Sequence, residues 1–226
     1  MKRMLTGIAM CLALTTSLAL AQGASPAPET KQAAPESADG RALFRTKTCI
    51  ACHGRDGARA IQVFPDVAGQ DKAYLYAQMK DIKAGVRVSG NDDRGYPRTQ
   101  SMKDVMHLVN DEEMQKIAAF LAAAPPPKPR KPAEPIEASL LDKGKDAYLK
   151  GGCTTCHGVS GLKPLASYPI IGGMKKDYLV LQMKEIREGK RTNGKTKLML
   201  PFAKKLTDEQ IELISTFLSQ IERPGA

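Results

Sequence analysis

Cys49, Cys52 and His53 form a Cys-x-x-Cys-His run, and Cys153, Cys156 and His157 repeat it 104 residues later. Two thiols three positions apart, followed directly by an imidazole, suit covalent attachment of c-type haem. The thiols add to the two vinyl groups, and the histidine is then held beneath the iron as a proximal ligand. Other uses of Cys-x-x-Cys fit less well. A zinc site takes four ligands, and a redox-active dithiol wants a thioredoxin-like βαβ setting. Three-residue spacing within a helical hairpin is also poor geometry for a structural disulfide. Two copies of the motif therefore predict two haem c groups, linked through Cys49, Cys52, Cys153 and Cys156, with His53 and His157 on the irons.

The second axial position calls for a ligand from the opposite side of the iron. Met102 and Met199 are the matched candidates, each seven residues before a matched apolar residue, Val109 and Leu206. A thioether is a soft ligand that favours reduced iron and raises its potential, which suits an electron carrier. Met106 is the main rival in the first half, but Ala203 stands at its counterpart. His107 is a more distant rival, opposite Lys204. Met79 and Met183 read as core filler. Pro65 and Pro169, each twelve residues after a motif histidine, punctuate a loop. Their carbonyls are also candidates to accept the imidazole's other N–H and fix its orientation.

The motifs belong to a longer repeat. A shift of 104 residues lays Pro65, Tyr74, Gln78, Met79 and Arg87 on Pro169, Tyr178, Gln182, Met183 and Arg191. Beyond these the shift falls to 97, matching Met102, Ile117 and Phe120 with Met199, Ile214 and Phe217. The first copy therefore carries seven extra residues around Asn91 to Arg98. A self-match at this period implies a duplicated domain rather than a solenoid unit. The expected domains are residues 38–123 and 137–222, joined by a linker over 124–136. Its run Pro125-Pro126-Pro127-Lys128-Pro129-Arg130-Lys131-Pro132 favours an extended polyproline II spacer.

Each copy reads as helical, with first helices over 39–47 and 142–150, middle helices over 72–83 and 176–188, and last helices over 111–122 and 208–220. Asn110 and Thr207 are good N-caps for the last pair, and the acidic residues that follow face the positive end of the helix dipole. Alternating β-branched patterns are missing. The fold class expected is all-α. Aromatic residues make up 5% of the chain and tryptophan is absent, so each small core needs another bulky group at its centre.

Residues 1–21 begin with Lys2 and Arg3, continue through an apolar stretch shorter than a membrane span, and end in Ala19-Leu20-Ala21. This reads as a cleavable secretory signal and predicts a periplasmic protein, with Cys11 lost on cleavage. Residues 22–37 are small, polar and proline-containing, and are expected to be disordered. The formal charge of +10 is weighted towards the C-terminal part, where residues 137–226 carry 15 basic and 10 acidic side chains. No basic cluster is interleaved with aromatics as nucleic-acid binding would want. Lys190, Arg191, Lys195, Lys197, Lys204 and Lys205 crowd the segment around Met199, which suits redox protein partners with an acidic docking face.

Taken together, the motifs resemble tandem class I cytochrome c domains, and more closely the di-haem cytochrome c4 family. The resemblance covers both halves. It rests on Phe64-Pro65-Asp66-Val67-Ala68-Gly69-Gln70, Tyr74-Leu75-x-x-Gln78-Met79, their copies Tyr168-Pro169-Ile170-Ile171-Gly172-Gly173-Met174 and Tyr178-Leu179-x-x-Gln182-Met183, and Met199 followed by Leu206-Thr207-Asp208-Glu209. It implies His/Met ligation of both irons and two haems close enough for internal electron transfer. It also implies that the first helix packs on the last, with Gly40 or Gly144 and Phe44 or Tyr148 near the crossing. The function implied is electron carriage, without catalysis, between a membrane-bound donor and a terminal oxidase or reductase, with peripheral association with membrane complexes. The alternatives are a haem-bearing subunit of a sulfide- or alcohol-oxidising dehydrogenase, or a haem enzyme such as a thiosulfate dehydrogenase or peroxidase. The linker and the insertion before Met102 depart from the family pattern. Eleven extended residues, 125–135, would span roughly 34 Å at ~3.1 Å each, so loose coupling of the halves is expected.

Overall fold

The computed structural model describes residues 35–225, so the expected signal segment and residues 22–34 lie outside the described residues. The first half runs α1 (Pro35–Thr46), α2 (Ile50–His53), α3 (Lys72–Lys83), α4 (Gln100–Met106) and α5 (Asp111–Ala123). The second repeats the order as α6 (Ala138–Lys150), α7 (Thr154–His157), α8 (Lys176–Arg187), α9 (Thr196–Ala203) and α10 (Asp208–Ser219). No strand forms among the described residues. One isolated bridge, Asn91 to Pro97, closes the insertion. No described helix is long and apolar enough to cross a membrane. Helix α1 starts at Pro35, inside the segment expected to be disordered, because proline's fixed φ and missing N–H suit a helix's first position.

In each half the first helix crosses the last, and glycine permits the approach. A Cβ on Gly40 would lie 2.1 Å from the Lys116 carbonyl oxygen, and one on Gly144 would lie 2.2 Å from that of Leu213. Aromatic pairs close both crossings, Phe44 with Phe120 at 5.7 Å between centroids and Tyr148 with Phe217 at 6.0 Å. The last helices start with full capping boxes. Asn110 and Glu113 exchange backbone and side-chain bonds, as do Thr207 and Gln210.

The linker is not a free spacer. Arg130 donates to the Ala60 carbonyl and to Asp66, both at 3.1 Å, and Pro127 is buried. Asp66 is itself buried, and a buried carboxylate needs charged or N–H partners; the Ala60 N–H supplies another at 2.6 Å.

The halves are docked, contrary to the loose coupling that linker length suggested. The Gln70 amide donates to the Ile170 carbonyl at 2.8 Å and accepts from the Ile170 N–H at 2.7 Å. Arg223, buried at the end of the chain, donates to Gly172 of its own half at 2.6 Å and to Ala68 of the other at 3.4 Å. Burial pulls this guanidinium down to about 10, against the countering charge of Asp66. Contour length sets only how far a spacer can reach; complementary donors and acceptors on the facing surfaces decide whether it does.

The copies differ in backbone chemistry just before the motif. Thr48 has φ +62° where its counterpart Gly152 has +73°. The left-handed region costs a residue with a Cβ about 1–2 kcal/mol. Thr48→Gly is therefore expected to stabilise the protein by up to about 1 kcal/mol in a denaturant titration, the gain reduced by glycine's looser unfolded state. An unchanged or lower midpoint would contradict this.

Candidate functional site

Each motif forms a short helix, α2 or α7, that stops at a glycine with positive φ, Gly54 at +77° and Gly158 at +76°. A Cβ at either would meet a carbonyl oxygen at 2.7 Å, from Arg59 or Lys163, so glycine is required where the chain turns away. The turn brings the next loop back under the histidine. His53 Nδ1 lies 2.9 Å from the Pro65 carbonyl oxygen, and His157 Nδ1 lies 3.1 Å from that of Pro169. A carbonyl can only accept, so Nδ1 carries the proton and donates, which leaves the Nε2 lone pair free as a ligand. Burial lowers the pKa of both imidazoles, opposed by these same bonds, and keeps them in the neutral form that binds metal.

Cys49, Cys52, Cys153 and Cys156 form no disulfide. Burial pushes Cys49 and Cys153 up to about 11 each, opposite to the lowered thiol pKa of a redox-active dithiol. Among the described residues, no cluster of three or more histidine, cysteine or acidic side chains gathers to hold a metal ion.

Each motif opens on an apolar cleft. The first, of about 750 Å³, runs from Cys49, Cys52 and His53 to Met102 and Met106 on α4. The second, of about 240 Å³, runs from Cys153, Cys156 and His157 to Met199 on α9. The first extends onto the insertion, including Asp92, Tyr96 and Arg98. Met79 and Met183 belong to the buried cores and also line the clefts. His107 is exposed and outside the cleft lining, whereas Met106 is fully buried and Met102 partly so.

The clefts meet. Tyr74, Gln78, Tyr178 and Gln182 line both of them. Around these, Arg87 donates to Tyr178 at 2.9 Å and to Gln78 at 3.0 Å, and Arg191 donates to Tyr74 at 3.2 Å and to Gln182 at 2.7 Å. The pattern is nearly two-fold: each arginine reaches the tyrosine of the other half. Burial opposes ionisation of Tyr74, but the charges of Arg191 and Arg87 outweigh it and its pKa falls. Sequence reading marked these residues as matched positions and also placed Arg191 in the basic cluster for docking, whereas it is 6% exposed and committed between the clefts; polar side chains repeated at one shift were the available signal that they serve a shared surface.

A haem fits these clefts. Their walls are mainly apolar, the lining of each includes two thiols, an imidazole and a thioether, and a guanidinium lines the first. Arg87 Nε is buried there without a partner, a donor suited to a carboxylate at the macrocycle's rim.

Comparison with known proteins agrees. The cytochrome c family matches twice, at residues 37–125 and 141–222. Cytochrome c4 of Azotobacter vinelandii is 33% identical over 178 residues, covering 77% of this chain and 84% of that one. The thiosulfate dehydrogenase electron acceptor of Stutzerimonas stutzeri is 28% identical over 199 residues, covering 82% and 88%. The structure of reduced recombinant cytochrome c4 from Pseudomonas stutzeri superposes with a TM-score of 0.66 at 30% identity, covering 82% of this chain and 98% of that one. With a duplicated helical domain, a haem-attachment motif at the mouth of each cleft and these relatives, the chain belongs to the cytochrome c4 family of di-haem electron-transfer cytochromes.

Proposed function

We propose that the chain carries electrons in the periplasm between a membrane-bound donor and a terminal oxidase or reductase. Cys49 and Cys52 tether the first haem and Cys153 and Cys156 the second. His53 and Met102 would hold the first iron, and His157 and Met199 the second. The observation that carries this reading is the meeting of two apolar clefts at the shared Tyr74, Gln78, Tyr178 and Gln182. Bound there, the haems supply two one-electron couples. The Pro65 and Pro169 carbonyls hold each imidazole in one tautomer. The largely apolar walls would limit water around the bound groups, and with an imidazole and a thioether committed to each iron no position would remain for a substrate, so we assign no catalysis to the chain. Arg87 and Arg191 place fixed positive charge between the clefts, which favours the reduced state of both.

The docking face follows from exposure around α9. Lys197, Lys204 and Lys205 are exposed on and just after this helix, whose Leu198 and Phe202 line the second cleft. A cluster of exposed lysines beside the cleft suits an acidic partner surface. Lys195 is partly committed, donating to the Ala166 carbonyl at 3.0 Å and lying over the Tyr168 ring.

A second reading is favoured by the Stutzerimonas relative's name: the physiological donor is a thiosulfate dehydrogenase rather than a quinol-oxidising complex. Stopped-flow reduction by each purified donor separates them. In either case, raising salt from 50 to 200 mM should slow exchange several-fold, and a Lys197→Glu, Lys204→Glu, Lys205→Glu variant should be slow already at low salt. Salt-independent exchange would overturn the docking face.

A further inference from the structure

The middle helix of each half carries a carboxylate near its C-terminal end, half-buried Asp81 on α3 and buried Glu185 on α8, at matched positions of the repeat. Neither serves its own half alone; each reaches across to the loop preceding the other half's methionine helix. Glu185, 3% exposed, accepts the backbone N–H of Gly90 at 2.9 Å. Its other contacts are Gln182, donating at 3.3 Å, and Arg98 at 3.9 Å. Asp81 accepts the side-chain amide of Asn193, which is 2% exposed, at 2.7 Å.

Both anchored residues adjoin the start of a methionine helix. Gly90 sits at the neck of the insertion. Its carbonyl accepts from the Arg98 N–H at 3.1 Å, the adjacent Ser89 hydroxyl accepts from the Thr99 N–H at 2.9 Å, and Thr99 is the N-cap of α4, three residues before Met102. Gly90 is hemmed in besides: a Cβ there would meet the Lys190 side chain at 3.3 Å and Glu185 at 3.4 Å. In the other half the Asn193 carbonyl accepts from the Thr196 N–H at 3.1 Å, the first residue of α9, which carries Met199. Asn193 also receives Arg191 Nε at 3.3 Å and donates to Gln78 at 3.2 Å.

We propose that Asp81 and Glu185 are reciprocal positioning residues: each half's carboxylate holds in place the loop that delivers the other half's methionine to its iron. The inference rests on the ligation by Met102 and Met199 given under the proposed function. Its consequence is that docking of the halves and ligation of the irons are one linked equilibrium. A methionine loop that opens more often exposes its iron to outside ligands, and an outside ligand binds more tightly in proportion to the open fraction.

Imidazole titration of the ferric, two-haem protein reads that open fraction. In Met199→Ala the second iron is already open, so the remaining weak isotherm reports the first haem; Met102→Ala isolates the second in the same way. Losing a buried hydrogen bond to a charged acceptor should shift the loop equilibrium about tenfold or more. Glu185→Ala is therefore expected to tighten imidazole binding at least ~tenfold at the first haem and leave the second unchanged. Asp81→Ala should do the reverse. Glu185→Gln and Asp81→Asn, which keep an oxygen acceptor, should recover most of the wild-type affinity. An effect on the haem of the substituted residue's own half, an equal effect on both, or no effect on either would overturn the proposal. The ligation reading fails separately, if the unsubstituted protein lacks a thioether-to-iron near-infrared band or if Met102→Ala and Met199→Ala leave imidazole affinity unchanged.

Discussion

Met102→Ala should halve the near-infrared thioether-to-iron band and lower the potential of one haem by on the order of 0.1 V, within the ~0.8 V that axial ligands span, whereas Met106→Leu should leave both as they are. The two methionines are one turn apart on α4 and both line the first cleft, so proximity does not choose between them. The comparison of the halves favours Met102. Met106 is 0% exposed and its counterpart Ala203 is also 0% exposed, which marks a packing position where a methyl group serves as well as a thioether. Met102 and Met199 are both partly buried, each packed at the edge of its half's core. Leucine at 106 nearly conserves volume and should cost less than about 1.5 kcal/mol. A band halved by Met106→Leu, and untouched by Met102→Ala, would move the ligand one turn along the helix.

The second large effect concerns stability. Gly40→Ala or Gly144→Ala should destabilise its half by about 3 kcal/mol, the upper part of the range for overpacking a tight interface. The added methyl would stand 2.1 or 2.2 Å from a backbone carbonyl oxygen and 2.7 or 2.8 Å from the Cβ of Phe120 or Phe217. None of these atoms is the end of a flexible side chain, so the first and last helices must separate. Separation would open the aromatic contact beneath and the apolar wall contributed by Ile117 or Ile214. Chemical denaturation of the haem-loaded protein, followed in the Soret region and by far-ultraviolet circular dichroism, measures the loss. A midpoint shift equivalent to less than about 1 kcal/mol would show that the crossing tolerates a side chain.

How much of this was legible in sequence differs by residue. The chemistry was, because Cys-x-x-Cys-His is local: thiols and imidazole act together only when the chain itself places them side by side. The last helices were, because Asn110 and Thr207 announce their starts and Glu113 and Gln210 complete the caps. The methionine helices were not. Helix α4 has seven residues and α9 eight, too few to develop a period, and Pro201 inside α9 removes the donor that would reach back to Lys197. The docking of the halves was hidden for a different reason. Gln70, Arg87, Arg191 and Arg223 bond to residues about 90 to 155 positions away, and a hydrogen bond across that distance leaves no spacing to read. The proline-rich linker pointed towards loose halves, since composition reports stiffness and not the Asp66 carboxylate that Arg130 finds.

On the proposed reading, each half closes around its own porphyrin, fastened at Cys49 and Cys52 in one case and at Cys153 and Cys156 in the other. Intact mass of the matured protein, followed by proteolysis and mass mapping, tests that most directly. The expected result is two added haem masses, one on the peptide containing Cys49 and Cys52 and one on the peptide containing Cys153 and Cys156. A single haem, none, or attachment at one motif only would contradict the account.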